Sequence, residues 1–255
     1  MDVLRRTLTV LLLAGFASCP QAHAQTDEED KLADAVLVLE EMGRDPATAI
    51  PPLLLANAQG VAVIPNVIRA GFILGGHRGK GVVVVRSDNG EWSNPAFITL
   101  TGGSIGAQIG AESSDIVLVF GNQRSVRNIG SGKFTLGSEA SVTAGPVERG
   151  TGSATDMTFT AEVYAYSRSR GLFAGATVEG ARLSMDALAN DDFYPQGSGA
   201  EPLAPQSLST PAGARRFLLS LEQSEAAPGR SPRSSAEEVP AQEEAVTYPL
   251  GGGPD

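Results

Sequence analysis

Few residues in this chain could carry out chemistry. It holds one cysteine, Cys19, and two histidines, His23 and His77. Cys19 and His23 lie in an N-terminal stretch with the layout of an export signal, so a processed chain would keep only His77. A single histidine without a thiol cannot supply a His/Cys metal site or a Cys-His nucleophile pair. His77 could act as a general base, but no serine or cysteine partner is evident, and a structural or surface role suits it better.

The acidic residues show no stronger catalytic pattern. Asp115 follows two serines and Asp156 follows a threonine, an arrangement that turns explain well. Either carboxylate could instead lie in a pocket, because the pairing of carboxylates for hydrolysis depends on the fold and not on sequence spacing. We therefore predict a protein that is not an enzyme and that needs no metal and no cofactor.

A cationic stretch is the best candidate for a binding site. No Asp or Glu occurs between Pro46 and Ser87, although the formal net charge of the whole chain is −10. Basic segments are attracted to anionic membranes, and arginine can contact phosphate through two hydrogen bonds. The residues predicted to bind lipid head groups are Arg69, His77, Arg78, Lys80 and Arg86. The alternative is a set of solvated charges that keeps sheet edges from pairing.

A second acid-free stretch runs from Ile116 to Ser138 and contains Arg124, Arg127 and Lys133. It could join the first stretch in space, although the interpretation as solvated charges is favoured. The negative charge of the whole chain argues against nucleic acid as a partner, since such binding depends on a cationic surface. Anionic lipid or a membrane surface is the expected partner.

The N-terminus predicts export. Residues 1–24 combine a basic start at Arg5 and Arg6 with a short apolar core, and Ala22-His23-Ala24 matches a small-x-small cleavage pattern. Cleavage near Ala24 would leave a secreted or periplasmic protein that starts at Gln25. A less favoured alternative reads the residues before Cys19 as a lipoprotein box, with Cys19 carrying the lipid.

The elements that would position the cationic residues are short strands covered by helices. Helical spacing of Leu32, Val36, Leu39 and Met42 predicts a first helix over Asp27–Gly43. A short helix over Leu53–Ala58 should follow. Runs rich in Val, Ile and Phe then predict strands near Val61–Ile64, Gly71–Gly75, Gly81–Arg86, Ala96–Thr101, Ala107–Ala111 and Ile116–Phe120.

Turn and helix signals complete the predicted order. Asp88-Asn89-Gly90 predicts a turn between two strands. A helical turn is expected over Gln123–Asn128 and a short helix over Ala181–Asn190. The later strands are expected at Gly137–Thr143, Thr160–Ser167 and Leu172–Val178.

This pattern predicts an α+β fold. Its centre should be a glycine-rich, mainly antiparallel sheet that is buried on both faces or closes into a barrel-like form, with covering helices. Glycines such as Gly79 and Gly81 lack the spacing of a nucleotide-binding loop, so we expect them to permit tight turns and close packing of backbones.

The composition changes after Tyr194. Residues 195–222 are rich in Pro, Gly and Ser and predict a linker with one short helix that starts at Thr210. Residues 223–255 hold few large apolar side chains, and we predict that they form a disordered acidic tail. The folded domain is therefore expected over residues 27–194.

An ordered series of motifs resembles the SYLF domain family. It starts with Pro-x-x-Leu-Leu-x-x-Ala-x-Gly-Val-Ala-Val-Ile-Pro from Pro51 and continues with Gly-Gly-x-Arg-Gly-Lys-Gly-Val-Val-Val-Val-Arg over Gly75–Arg86. Further matches are Trp92-Ser93-x-Pro95-Ala96-Phe97, Gly106-x-Gln108-Ile109-Gly110, Asp115-Ile116-Val117, Ala165-Tyr166-Ser167 and Gly171-Leu172-Phe173-Ala174-Gly175. The resemblance covers about Asp27–Tyr194, with Pro195 where the family usually has glycine.

The resemblance implies a lipid-binding module. Eukaryotic members bind phosphoinositide membranes through an amphipathic N-terminal helix, and some bind actin. This sequence departs from them in its acidic first helix and its export signal. We expect a non-enzymatic module that binds lipid or a membrane surface in the cell envelope; the alternative is a structural or protein-interaction domain with no lipid ligand.

Overall fold

The computed structural model describes residues 21–44, 49–130, 134–138, 140–144, 161–170 and 180–226. The helices in these ranges are α1 Gln21–Arg44, α2 Pro52–Ala56, α3 Gln123–Gly130, α4 Ala187–Phe193 and α5 Ala212–Ala226. The strands are β1 Gly60–Val85, β2 Ala96–Phe120, β3 Phe134–Thr135, β4 Val142–Ala144, β5 Val163–Arg170 and β6 Arg182–Met185. The class is α+β, as predicted.

One long hairpin forms the centre of the sheet. β1 and β2 pair antiparallel from Gly60 opposite Phe120 to Val83 opposite Ala96. Three short strands were predicted within β1 and three within β2, but each set forms one continuous strand. The intervening glycines stay extended instead of forming turns. The predicted turn at Asp88-Asn89-Gly90 is confirmed: Gly90 has φ +87° and donates its N–H to the Ser87 carbonyl at 2.9 Å.

The remaining strands extend the hairpin into a curled half-barrel. The order is β3-β6-β2-β5-β4, with β1 paired to β2. Only β4 and β5 pair in parallel among the described strands. The predicted mainly antiparallel, barrel-like sheet is confirmed.

Both faces of the sheet are buried. Val61, Val63, Val82 and Val84 pack with the helices in one apolar cluster. The neighbouring residues, such as Ala62, Ile64 and Val83, belong to a second cluster on the concave inner face. Since successive strand residues point to opposite faces, this double burial explains why β1 reads as a continuous apolar run.

A bulge in β1 is held by a partly buried ion pair. Pro65 and Asn66 lie opposite the single residue Asp115, and Asn66 has φ +49°. The Asn66 N–H donates to Asp115 Oδ1 at 3.0 Å, and Arg168 donates to Asp115 Oδ2 at 2.9 Å. Arg168 also pairs with Glu41 of α1. The turn interpretation of Asp115 is wrong, because its carboxylate is buried inside β2 and fixes the bulge.

The apolar stripe of α1 packs on the sheet. Leu32, Leu39 and Met42 are buried, and Val36 is partly buried against the same cluster. The predicted helix over Asp27–Gly43 is confirmed within α1. Phe217, Leu218 and Leu221 of α5 join this cluster, so α5, which the sequence analysis assigns to a linker after Tyr194, is packed in the core.

Two elements predicted after Phe134 differ from the structure, whereas the strand predicted over Thr160–Ser167 is confirmed from Val163 onward as β5. The helix expected over Ala181–Asn190 is wrong over Arg182–Met185, since β6 pairs there with both β2 and β3, and only its end, from Ala187, belongs to α4. Asp186 separates β6 from α4 by accepting a hydrogen bond from the Ala189 N–H at 3.3 Å, as an N-cap does. Of the strand expected over Gly137–Thr143, only Val142 onward forms β4.

Several predictions fall outside the described residues. They are the signal segment up to residue 20, Asp156, the strand at 172–178 and the tail from residue 227. Residues 223–226 of the predicted tail belong to α5.

The two halves of β1 approach each other closely on the inner face. A Cβ added at Gly79 would lie 2.7 Å from Val67 Cγ2, and one added at Gly81 would overlap the Val63 carbonyl oxygen and lie 2.7 Å from Ile64 Cα. The ends of β1 are also joined, because the Arg86 N–H donates to the Gln59 carbonyl at 2.9 Å. The expectation of close backbone packing at these glycines is confirmed.

We expect Gly81→Ala to destabilise the fold, because backbone atoms rather than a flexible side chain would have to move. The free energy of unfolding in urea should fall by about 2 kcal/mol or more, as in overpacked cores. Gly103→Ala is the matched control, since a Cβ there meets nothing within 4 Å. Equal stability of the two variants would contradict the close approach.

Candidate binding residues on the long hairpin

The predicted head-group residues divide between the two faces of β1. Arg69 and His77 alternate in phase with Val67 and Val83 and so belong to the inner face. Arg78, Lys80 and Arg86 are in phase with Val82 and Val84 and belong to the helix-covered face. The structure therefore does not bring the five residues together on one face, and their role in lipid binding stays a prediction.

His77 is not a surface cation. Its side chain is 5% exposed, and neither ring nitrogen has a hydrogen-bond partner among the described residues. Burial lowers the pKa of His77, and the positive charge of Arg69 lowers it further. The imidazole is therefore neutral near pH 7, which removes it as an electrostatic contact for phosphate at that pH.

Lys80 is paired inside the protein. Its Nζ lies 2.8 Å from Asp186 Oδ2, at the residue that caps α4. Burial raises the pKa of Asp186, but the hydrogen bonds from Lys80 and from the Ala189 N–H outweigh this effect, so the pKa lies below its usual value. Lys80 therefore anchors α4 to β1 through an ionised carboxylate, although its side chain stays about half exposed.

Arg86 is held by several structural contacts. Its Nε donates to the Ala58 carbonyl at 3.0 Å, its Nη1 to the Gly90 carbonyl at 2.8 Å, and its Nη2 to Glu225 Oε1 at 2.9 Å. The guanidinium also stacks 4.0 Å from the centre of the Trp92 ring. With a longer bond from Nη2 to the Leu55 carbonyl at 3.4 Å, these contacts use four of the five guanidinium N–H donors and leave one, on Nη1.

Glu225 completes a cluster that the sequence did not reveal. The same Oε1 atom accepts the indole N–H of Trp92 at 2.6 Å. Arg86, Trp92 and Glu225, which we call the Trp92 cluster, thus join the β1–β2 turn to the last residues of α5. Because Glu225 is 139 positions from Arg86 and was assigned to a disordered tail, no local pattern could have indicated this contact.

An open cleft of about 480 Å³ lies beside the Trp92 cluster. Its lining residues are Arg86, Gly90, Glu91, Trp92, Gln206, Glu222 and Glu225. Arg86 is the only cation in this lining and is already paired with Glu225. The cleft therefore offers no free positive charge to an anionic ligand.

Arg78 remains as the exposed cation of the predicted set. Arg69 is partly buried, and the preceding Ile68 is 59% exposed. In the second cationic stretch Arg124 is exposed at the start of α3. The side chain of Arg127 and the whole of Lys133 lie outside the described part of the chain, so a joint surface stays a prediction.

Metal binding and membrane spanning find no support in the described residues. They contain no group of His, Cys, Asp or Glu arranged to hold a metal ion. None of the described helices combines the length and the apolar character that crossing a bilayer requires.

Comparison with known proteins identifies the family. A family model described as Las17-binding protein actin regulator, Ysc84, matches residues 101–224, which run from near the start of β2 nearly to the end of α5. Protein YSC84 of Saccharomyces cerevisiae is 36% identical over 176 residues, covering 68% of this chain and 37% of the relative. The chain belongs to the SYLF family. The SYLF resemblance seen in the sequence is confirmed.

Other SYLF relatives agree. LAS seventeen-binding protein 3 of Saccharomyces cerevisiae is 40% identical over 148 residues, covering 57% of this chain and 32% of its own. SH3 domain-containing YSC84-like protein 1 of Homo sapiens is 38% identical over 152 residues, covering 59% of this chain and 44% of its own. The SYLF chain therefore matches less than half the length of each of these relatives. The family description names a binding protein and regulator, and the name of LAS seventeen-binding protein 3 also describes a binding protein.

We expect Glu225→Ala to release the end of α5 and to expose Trp92, because the substitution removes the acceptor shared by Arg86 and the indole. Stability should fall by about 2 kcal/mol, in the range for hydrogen bonds to a charged group. Trp92 is the only tryptophan, so acrylamide quenching of its fluorescence reports this change directly.

Glu222→Ala is the control for that substitution. Glu222 lines the same cleft on the same helix and is exposed. The free energy of unfolding of Glu222→Ala should differ from that of the unmodified protein by no more than about 0.5 kcal/mol. If acrylamide quenched the fluorescence of Trp92 equally in Glu225→Ala and Glu222→Ala, the Trp92 cluster would not hold α5.

Proposed function

We propose that this SYLF protein is a non-enzymatic module that binds anionic lipid surfaces in the cell envelope. The observation that carries the proposal is the exposed guanidinium of Arg78, within a hairpin segment that has no acidic residue from Pro46 to Ser87. A membrane surface attracts such a cation and needs no enclosed pocket. The description of relatives as binding proteins supports a binding role over catalysis.

The five predicted residues do not contribute equally in this proposal. Arg78 makes the main electrostatic contact, whereas Arg69 is only partly exposed and belongs to the other face of β1, so it does not add to that contact. Lys80 contributes only by loosening its pairing with Asp186. Arg86 and the neutral His77 serve the fold and not the ligand.

A second candidate function is protein binding without a lipid ligand. Two of the relatives carry Las17 binding or SH3 domains in their names. The SYLF domain of this chain could by analogy present its surface to a protein partner, in the envelope or elsewhere. Binding of the unmodified protein to lipid vesicles would separate this candidate from the first.

We expect Arg78→Ser to weaken binding to vesicles that contain anionic phospholipid. A basic residue near an anionic surface contributes about 1 kcal/mol, so the partition coefficient should fall about five-fold, and raised salt should reduce the difference. Co-sedimentation with vesicles of phosphatidylglycerol and phosphatidylcholine measures this change, and vesicles of phosphatidylcholine alone supply the neutral reference.

Arg216→Ser is the matched control, because Arg216 is an exposed arginine on α5 and the charge change is identical. It should bind like the unmodified protein. Equal losses in both variants would indicate only a general charge effect. If the unmodified protein binds neither kind of vesicle, lipid binding is refuted and the protein-binding candidate is favoured.

We further propose that the protein reaches the envelope through cleavage after Ala24. Intact mass spectrometry of protein recovered from its native cell should give a chain that starts at Gln25. A lipid-modified N-terminus at Cys19 would instead support the lipoprotein alternative. An unprocessed chain that starts at Met1 in the cytoplasm would contradict both routes.

A further inference from the structure

His77 is a buried imidazole without hydrogen-bond partners. Its side chain is 5% exposed, and neither Nδ1 nor Nε2 is bonded within the described residues. The ring lies against Gly102, the residue opposite it in the hairpin, because a Cβ added at Gly102 would overlap ring atom Cε1. Buried polar groups normally have partners, so a ring with both nitrogens free calls for an explanation.

The charges around His77 disfavour its protonation. Arg69 shares the inner face of β1 and is close enough to lower the pKa of the imidazole, in addition to the effect of burial. Across the hairpin, Thr99, Leu100, Thr101 and Gly102 bring no ionisable group. Glu112 is the backbone partner of Arg69 in the hairpin, and its side chain lies outside the described part of the structure. Arg78 and Lys80 belong to the opposite face of β1. Among the described side chains, no carboxylate raises the pKa of His77.

The surroundings of His77 are the place where β1 folds back. Gly79, two residues further on, packs against Val67 and Ile64 from the first half of the strand. Both of those side chains are buried in the inner cluster. A change that separates the two halves of β1 at this level would expose apolar surface that is now closed off.

We propose that His77 is an acid-sensitive lock on the folded-back hairpin. Its neutral ring is compatible with the closed form, in which the two halves of β1 are in contact, and its protonation favours an open form, in which they separate. In the closed form the ring is neutral, and a proton taken from water by Nδ1 or Nε2 creates a buried positive charge near the partly buried Arg69. The open form lets the imidazolium reach water, where its usual pKa is about 6.5. This lock is independent of whether the protein binds lipid.

The direction of the pH effect follows from the protons that each form binds. The pKa of His77 is lower in the closed form than in the open form, so the open form carries more protons between those two values. Closure is fully favoured above about pH 6.5 and weakens as the pH falls through that interval. Ordinary carboxylates titrate near pH 4, which lies below it.

The test compares exposed apolar surface at pH 7.5 and pH 5.5. We expect the fluorescence of bound bis-ANS to rise several-fold at the lower pH in the chain that starts at Gln25, while far-UV circular dichroism is retained. His77 is the only histidine of that chain, so no other imidazole can account for the rise. His77→Gln, which has no titratable ring, should show no rise.

Arg69→Gln provides a second measurement. Removing the guanidinium leaves only burial to oppose protonation, so this variant should show a smaller rise. If His77→Gln does not fold at pH 7.5, the proposal is tested by comparing Arg69→Gln with the unmodified chain. Equal rises of bis-ANS fluorescence in these two proteins would overturn it. The lock is likewise refuted if the unmodified chain shows no rise, or if His77→Gln rises as much as the unmodified chain.

Discussion

The contact between the two halves of β1 sets the geometry of this SYLF protein. Gly79 and Gly81 have no side chain, so the backbone of the first half can approach to within van der Waals distance. A straight hairpin of this length would leave one face without cover. By folding back, β1 encloses an inner apolar cluster and leaves its outer face to α1, α2 and α5. Both faces are then removed from water, which supplies the main driving force for folding.

The same fold-back decides which cations remain available. Because strand residues alternate, the segment that looks uniformly basic in sequence is divided into an inner pair and an outer series. On the outer series, Lys80 and Arg86 find carboxylates on α4 and α5, elements far along the chain. Arg78 has no such partner among the described residues. The cationic residues that are close together in the sequence therefore supply one exposed guanidinium, that of Arg78, and several contacts inside the protein.

The sequence predicted the fold class and most elements, because periodicity and glycine content are local signals. The stripe of α1 and the turn at Gly90 follow directly from Leu32, Leu39, Met42 and the Asp-Asn-Gly sequence. It could not predict that Asp115 holds a bulge or that Glu225 binds Trp92, since the partners of each lie 49 to 139 residues away. The prediction of a helix over the residues of β6 was wrong for a similar reason, because pairing with β2 and β3 overrides their local helical pattern.

The position of α5 has a consequence for how the polypeptide acquires its structure during synthesis. Its apolar side chains complete the layer that α1 begins, yet almost the whole described chain separates the two helices. A nascent chain that still lacks Phe217 and Leu221 would hold α1 against an incomplete surface, and the loop between them must close before that burial is gained. Nearly all of the domain must therefore be synthesised before cooperative folding can finish. A prematurely terminated chain would expose apolar valine side chains to chaperones and proteases.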